Sequence, residues 1–170
     1  MLRALGGLLL LGGALALGMA PAMELSRRLS ALEAWGEALA LLERELAFTA
    51  SDMPTLLDRV ARGSSSPVRE WAGAVLKSLD RLGEKGFGEI WREGLEAVPG
   101  ALFPGELEAL ARLGDTLGRY DRQAQLKALA LTREELSRLA RETREERREK
   151  GKAWGVLGLS LGAAVLILLL

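Results

Sequence analysis

Residues 24–46 read ELSRRLSALEAWGEALALLEREL, and in them Leu25, Leu32, Trp35, Leu39, Leu42 and Leu46 recur at spacings of seven, three and four. That period puts the apolar side chains on one stripe of an α-helix more than five turns long, with the charged residues on the other side. The same period continues along the chain, and no segment alternates apolar and polar residues as a half-buried strand would. An all-α bundle is therefore expected.

Outward from this helix the pattern changes. Ala4 to Met23 is 20 residues without a charge, and Ala153 to Leu170 is another 18. Eighteen helical residues rise about 27 Å against a hydrocarbon core of about 30 Å, so each stretch is long enough to span or nearly span a bilayer. Trp154 and Lys152 stand where an interfacial anchor and a snorkelling cation would hold the second span. A signal peptide is the alternative for the first stretch, with Arg3 as its basic start and Ala20-Pro21-Ala22 as a small-x-small cleavage pattern. For the second, the alternatives are a tail anchor or a buried core helix. Gly12, Ala16 and Ala20, and likewise Gly158 and Gly162, form small-residue ridges on which helices can pack closely in lipid.

The basic residues set an orientation. Arg27 and Arg28 follow the first stretch, and Arg141, Arg144, Arg147, Arg148, Lys150 and Lys152 precede the second. The positive-inside bias puts residues 24–152 in the cytoplasm as one helical domain, between transmembrane helices at 1–23 and 153–170. The segment 141–152 carries six bases against four acids, which reads mainly as a solvated face laced with ion pairs and only weakly as a lipid-headgroup site.

Within the domain, Ser51-Asp52 with Pro54 opens a second helix through Leu56, Leu57 and Val60. Gly63–Pro67 is the clearest loop, and Ser64 in it is a place for a labelling cysteine. A third helix has Val68, Trp71, Ala72, Val75, Leu79 and Leu82 on one face, and Gly83 to Gly88 breaks it. A fourth carries Phe87, Ile90, Trp91, Leu95 and Val98. Pro104-Gly105 opens a fifth with Leu107, Leu110 and Leu117 inward, and Asp121 caps a long last helix. The total is about six helices, anchored at both ends.

Composition limits the chemistry. The 170 residues hold 23 Lys+Arg and 23 Asp+Glu, with no His and no Cys. That excludes Ser-His-Asp triads, Cys-His dyads and zincin motifs, and a net charge of zero gives no field for nucleic acid. Glu43 and Glu45, like Glu106 and Glu108, are two apart and so about 200° apart around a helix, unsuited to paired-carboxylate catalysis. Lys85-Gly86-Phe87-Gly88 lies between helices and reads as a loop, without the strands an RNA-binding motif needs. No Walker A pattern occurs. No enzyme activity, metal, cofactor, nucleic acid or small-molecule substrate is expected.

The most particular segment is Leu113-Gly114-Asp115-Thr116-Leu117-Gly118-Arg119-Tyr120-Asp121-Arg122-Gln123-Ala124-Gln125. Gly114 and Gly118 are one turn apart and make a flat strip where another helix can approach, and Gly118 also suits a left-handed C′ position. Asp121 can accept the free N–H groups of the next helix. Gly114, Leu117, Gly118, Asp121 and Gln125 are therefore candidate interface or packing residues.

This segment resembles the Leu-Gly-x-x-Leu-Gly-x-x-Asp-Arg-x-x-Gln stretch of the stage III sporulation protein AB family of endospore-forming bacteria. Leu42-Glu43-Arg44-Glu45-Leu46-Ala47-Phe48 is similar to that family's Leu-Glu-x-Glu-Ile-x-Tyr, which adds Glu43 and Glu45 to the candidates. Leu157-Gly158 through Gly162 is similar to its terminal apolar span. The chain departs from the family at Arg28-Leu29, where it has Arg-Pro, at Ser51-Asp52, where it has Thr-Pro, and around Glu33, Trp35 and Gly36, where it is more basic. The resemblance implies a mother-cell membrane component of the complex joining mother cell and forespore, needed for late forespore gene expression. It further implies a cytoplasmic domain similar to the inner-membrane platforms of type II secretion and type IV pilus systems. The expected partners are then the membrane, other stage III sporulation proteins including a cytoplasmic ATPase, and a second copy of the chain as a further candidate. A platform subunit of a general secretion or pilus system, or a signal-cleaved extracellular helical module, are the alternatives.

Overall fold

A computed structural model describes the backbone of residues 2–48, 52–98, 100–117 and 119–169, and the side chains within these ranges except in 2–22 and 152–169. It holds six α-helices: α1 (Leu2–Phe48), α2 (Met53–Gly63), α3 (Val68–Ser78), α4 (Phe87–Ala97), α5 (Pro104–Leu117) and α6 (Arg122–Leu169). A 3-10 turn at Leu79–Arg81 follows α3. Among the described residues there is no strand, only an isolated bridge between Leu82 and Lys85. The all-α reading stands. α1 and α6 run 47 and 48 residues, unbroken at Pro21 and at Gly151 and Gly155.

The chain divides into two compact units. One comprises Met1–Arg27 and Glu142–Leu170, the other Arg28–Arg141. The expected boundaries at 23 and 153 differ from these because they follow charge, whereas the units follow packing. Among the described residues no helix is long and apolar enough to cross a membrane. The side chains of Gly12, Ala16, Ala20, Trp154, Gly158 and Gly162, on which the span and ridge expectations rest, lie outside the described residues.

The 28–141 unit is built on three tryptophans. Trp35 of α1, Trp71 of α3 and Trp91 of α4 are each at most 2% exposed. The Trp35 and Trp71 rings lie 4.7 Å apart between centroids, and Trp71 and Trp91 lie 4.3 Å apart edge to face, an arrangement that ring quadrupoles favour. A buried indole N–H needs an acceptor. Trp91 Nε1 donates to the Leu110 carbonyl of α5 at 2.8 Å, and Trp71 Nε1 donates to the Trp91 carbonyl at 3.4 Å. A helical carbonyl points along the axis towards the next turn, so a side chain reaching it must pass over the residues three or four positions on. Glycines stand there. A Cβ at Gly114 would come within 2.4 Å of the Trp91 ring, and one at Gly94 within 2.6 Å of Val75 and 3.2 Å of Trp71. Around this stack Leu32, Leu39, Leu57, Val60, Ile90, Leu110, Leu113, Leu129 and Leu136 complete one core.

The element ends follow local chemistry. Asp52 is the N-cap of α2 in extended conformation, with Pro54 in the first turn and the Thr55 hydroxyl donating to Asp52 Oδ1 at 2.8 Å. Ser64 departs from its expected exposure: it is 8% exposed, and its carbonyl accepts Arg69 Nε at 3.0 Å. Ser65 and Ser66 are the exposed serines of that loop. Leu82 also departs from expectation. The α-helix ends at Ser78, the tighter 3-10 turn shifts the register, and Leu82 lies 47% exposed. Gly83 then takes φ +111°, a conformation L-residues rarely adopt.

Lys85 beyond that turn pairs with Glu93 of α4, which also accepts Arg81 Nη1 at 3.1 Å. The Lys85 hydrogen bond first, and the two positive charges with it, hold the Glu93 carboxyl below its ordinary 4.5. A depressed carboxylate favours the folded state above its unfolded pKa, and that contribution is lost as pH falls through the lowered value. A carboxyl 13C titration is expected to place Glu93 below 4.5 and to move it upward in Lys85→Met; an unmoved value would refute the pairing. The glycines make a second test. Gly36 of α1 has nothing within 4 Å of its would-be Cβ, so Gly36→Ala is expected to stabilise by up to about 1 kcal/mol. Gly114→Ala is expected to destabilise by about 1–3 kcal/mol through overpacking on Trp91. Urea melts giving both changes the same sign would contradict the close approach.

Candidate functional site

The corner between α5 and α6 gathers most of the candidate residues. Leu113, Gly114 and Leu117 are buried. The flat strip at Gly114 is covered from within the molecule, by Trp91. Asp121 Oδ1 accepts the backbone N–H groups of Gln123 at 2.9 Å and Ala124 at 3.0 Å, satisfying two free donors at the start of α6. Gln125 reaches back: its Nε2 donates to the Leu117 carbonyl at 3.0 Å and the Tyr120 carbonyl at 2.7 Å. One amide thus serves an otherwise unpaired carbonyl at the end of α5 and another in the connection. Gly118, the expected C′ residue, lies outside the described residues.

Arg122, to which the sequence pattern assigns no role, donates from Nη2 to the Ala47 carbonyl in the last turn of α1. A cation there also meets the negative end of the α1 dipole. Glu43 and Glu45 diverge, as their spacing requires. Glu43 accepts Arg133 Nε of α6 at 2.9 Å, and Glu45 pairs with Arg59 of α2. The two carboxylates tie α1 to different neighbours and are not brought together.

A second cluster stands at the start of α5. Glu106, the third residue of that helix, accepts the Phe103 backbone N–H at 2.7 Å, half of a capping box. Its other oxygen accepts Arg28 Nε at 3.0 Å and Nη2 at 2.5 Å. Arg28 lies 3.9 Å over the Phe103 ring, so one guanidinium makes an ion pair through two donors to a single carboxylate oxygen and a cation–π contact. Glu106 is 3% exposed. Glu108, two positions on, is exposed. The sequence signal was the capping pattern Phe103-Pro104-x-Glu106; nothing local in it pointed to Arg28, 78 residues away.

A cleft of about 240 Å³ opens at the start of α4. Gly86, Phe87, Gly88, Glu89, Arg92, Asp115 and Arg119 line it. Within this lining Arg92 Nη2 donates to Asp115 Oδ2 at 3.0 Å. Among the described residues no three acidic side chains are grouped to hold a metal ion.

A family model described as stage III sporulation protein AB matches residues 3–170. The chain belongs to the stage III sporulation protein AB family. A solved structure titled stage III sporulation protein AB is 25% identical, with a TM-score of 0.66, and the match covers 72% of this chain and 98% of that one. No curated protein matches. Membership in this sporulation family gives the segment 113–125 a physical reading. Gly114 seats α5 against Trp91 of α4, Leu113 and Leu117 are buried in the core, Asp121 and Gln125 close the corner, and Arg122 ties it to α1.

Removing Arg28 strands a carboxylate that is nearly all buried, and breaking such a pair costs about 3 kcal/mol or more. Arg28→Leu is expected to lower unfolding stability by that order in denaturant melts, and Arg28→Leu with Glu106→Leu to recover part of it. A single variant as stable as the parent would mean the pair contributes nothing.

Proposed function

We propose that the chain is a non-catalytic scaffold in the membrane of the sporulating mother cell, carrying its helical domain in the cytoplasm between an ATPase and membrane partners. The observation that carries this reading is the extent of the family match, which takes in both uncharged stretches and the domain between them. Each stretch belongs to a helix of more than 45 residues, α1 or α6. The flanking bases favour an inside position for the domain. The platform role comes from the family's likeness to secretion and pilus platforms, and the chemistry is compatible with it. The polar residues of the corner are engaged with backbone groups, and those of the Arg28–Glu106 cluster with each other and with the N-cap, as expected of parts that hold a shape.

The absence of cysteine allows a direct test. Ser65→Cys, at an exposed position of the α2–α3 loop, is treated in intact cells with a membrane-impermeant maleimide. Labelling only after lysis is the expected result. Labelling of intact cells would put the domain outside and refute both the topology and the contact with a cytoplasmic ATPase.

A further inference from the structure

The end of the 28–141 unit where α1 stops and α6 starts has a surface unlike the rest. Phe48 is 87% exposed and Tyr120 61% exposed, the two most exposed large apolar side chains among the described residues. The Arg122 bond to the Ala47 carbonyl brings them to one place, since Phe48 follows Ala47 and Tyr120 precede Arg122 by two. Bases surround them. Arg44 stands one turn before Phe48, and Arg119 adjoins Tyr120. Neither has an acidic partner among the described residues, and both are exposed.

The acids of this end are already engaged. Asp121 accepts two backbone N–H groups, Asp115 pairs with Arg92, and Asp52 accepts the Thr55 hydroxyl. Hydrogen bonds from neutral groups leave Asp52 and Asp121 charged, so Arg44, Arg119 and Arg122 exceed the unpaired acids here by one base. Exposed aromatic rings set among arginines are the composition of a binding hot spot, where rings supply area and guanidinium groups supply direction. Along α1 this end lies about 30 Å from Arg28, where the unit begins.

We infer that Arg44, Phe48, Arg119, Tyr120 and Arg122 form a docking face for an acidic segment of a partner protein, one that carries an apolar side chain between its carboxylates. Carboxylates meet Arg44 and Arg119, and the apolar side chain covers Phe48 and Tyr120. Arg122 keeps its bond to α1 and adds charge. This goes beyond the scaffold reading and does not depend on which side of the membrane the domain occupies, so it can fail while the topology stands, and the reverse.

The test uses the full chain in phosphatidylcholine nanodiscs, with an environment-sensitive dye on Gln123→Cys, an exposed position beside the face. Three probes are titrated: a twelve-residue Glu-rich peptide containing Leu and Phe, the same peptide with Lys for Glu, and phosphatidylglycerol vesicles. A blue shift with the acidic peptide alone is expected. Arg119→Glu and Phe48→Ser, whose side chains the fold does not use, should each weaken it by roughly tenfold with helicity unchanged. Lys77→Glu, on α3, should not. An equal response to the Lys peptide, a response to the vesicles in place of the peptide, no response to the acidic peptide, or a response that survives both variants would each overturn the inference. So would a shift that depends on chain concentration without any probe, which would make a second copy the occupant.

Discussion

The helical domain depends on how two buried indoles find acceptors. An unpaired N–H in a core costs about 1–3 kcal/mol, so burying Trp71 and Trp91 obliges the next helix to come within hydrogen-bond reach. Each indole meets this by donating to a backbone carbonyl of the following helix, Trp71 to α4 and Trp91 to α5. A carbonyl inside a helix is shielded by the side chains of the next turn, so each acceptor needs a glycine beyond it. Gly94 and Gly114 supply the gaps. The spacing and rotation of α3, α4 and α5 are thus set by two hydrogen bonds and two missing Cβ atoms. Trp35 extends the stack to α1.

Consequences run outward from α5. Its start is held by Glu106, which completes the cap at Phe103 and takes Arg28 from α1. Its end is held by Gln125, and the next helix is capped by Asp121 and tied back to α1 by Arg122. The helix that receives Trp91 is therefore fixed at both ends, in each case with a link to α1. The motif of 113–125 looks like a site when read as letters. In the fold its glycine, aspartate, arginine and glutamine each answer a backbone or packing requirement. What the corner leaves exposed, Phe48, Arg119 and Tyr120, are the residues that no such requirement employs.

The helices were legible because their apolar period is unambiguous, and the caps at Asp52 and Asp121 because an N-cap is a local device. The strip at Gly114 was legible as a close approach, since two glycines a turn apart have little other use in a helix, but its occupant was a long-range fact. Ser64 and Leu82 were misread for related reasons. A serine in a loop is assumed to be wet, yet Arg69 folds over its carbonyl, and a leucine continuing a helical stripe is assumed buried, yet the helix tightens before reaching it. Thr143 is a further departure from local rules: it is 1% exposed and its hydroxyl has no partner among the described residues. Its neighbours in sequence are charged and exposed, so composition gave no sign of burial. Arg28 was visible as a flanking base and Glu106 only as one of two carboxylates near the start of α5, and only packing joins them.

Arg28 shows that one charge can act at two stages without conflict. The positive-inside bias acts on a chain being inserted, when Arg27 and Arg28 are solvated and the distant Glu106 exerts no local field. In the folded domain the same guanidinium is largely withdrawn from water by Glu106 and Phe103. In the proposed topology, a count of exposed bases in the final structure therefore understates the flank beside the first stretch. The second flank is different in kind. Its bases alternate with acids and pair along the helix, as Lys150 does with Glu146 at 2.7 Å, but pairing four residues apart on an exposed helix is worth only about 0.3–0.5 kcal/mol. Such pairs do not cancel the excess of six bases over four acids between Arg141 and Lys152. The proposed orientation thus draws on Arg27 and Arg28 before folding and on the unbalanced run before and after it.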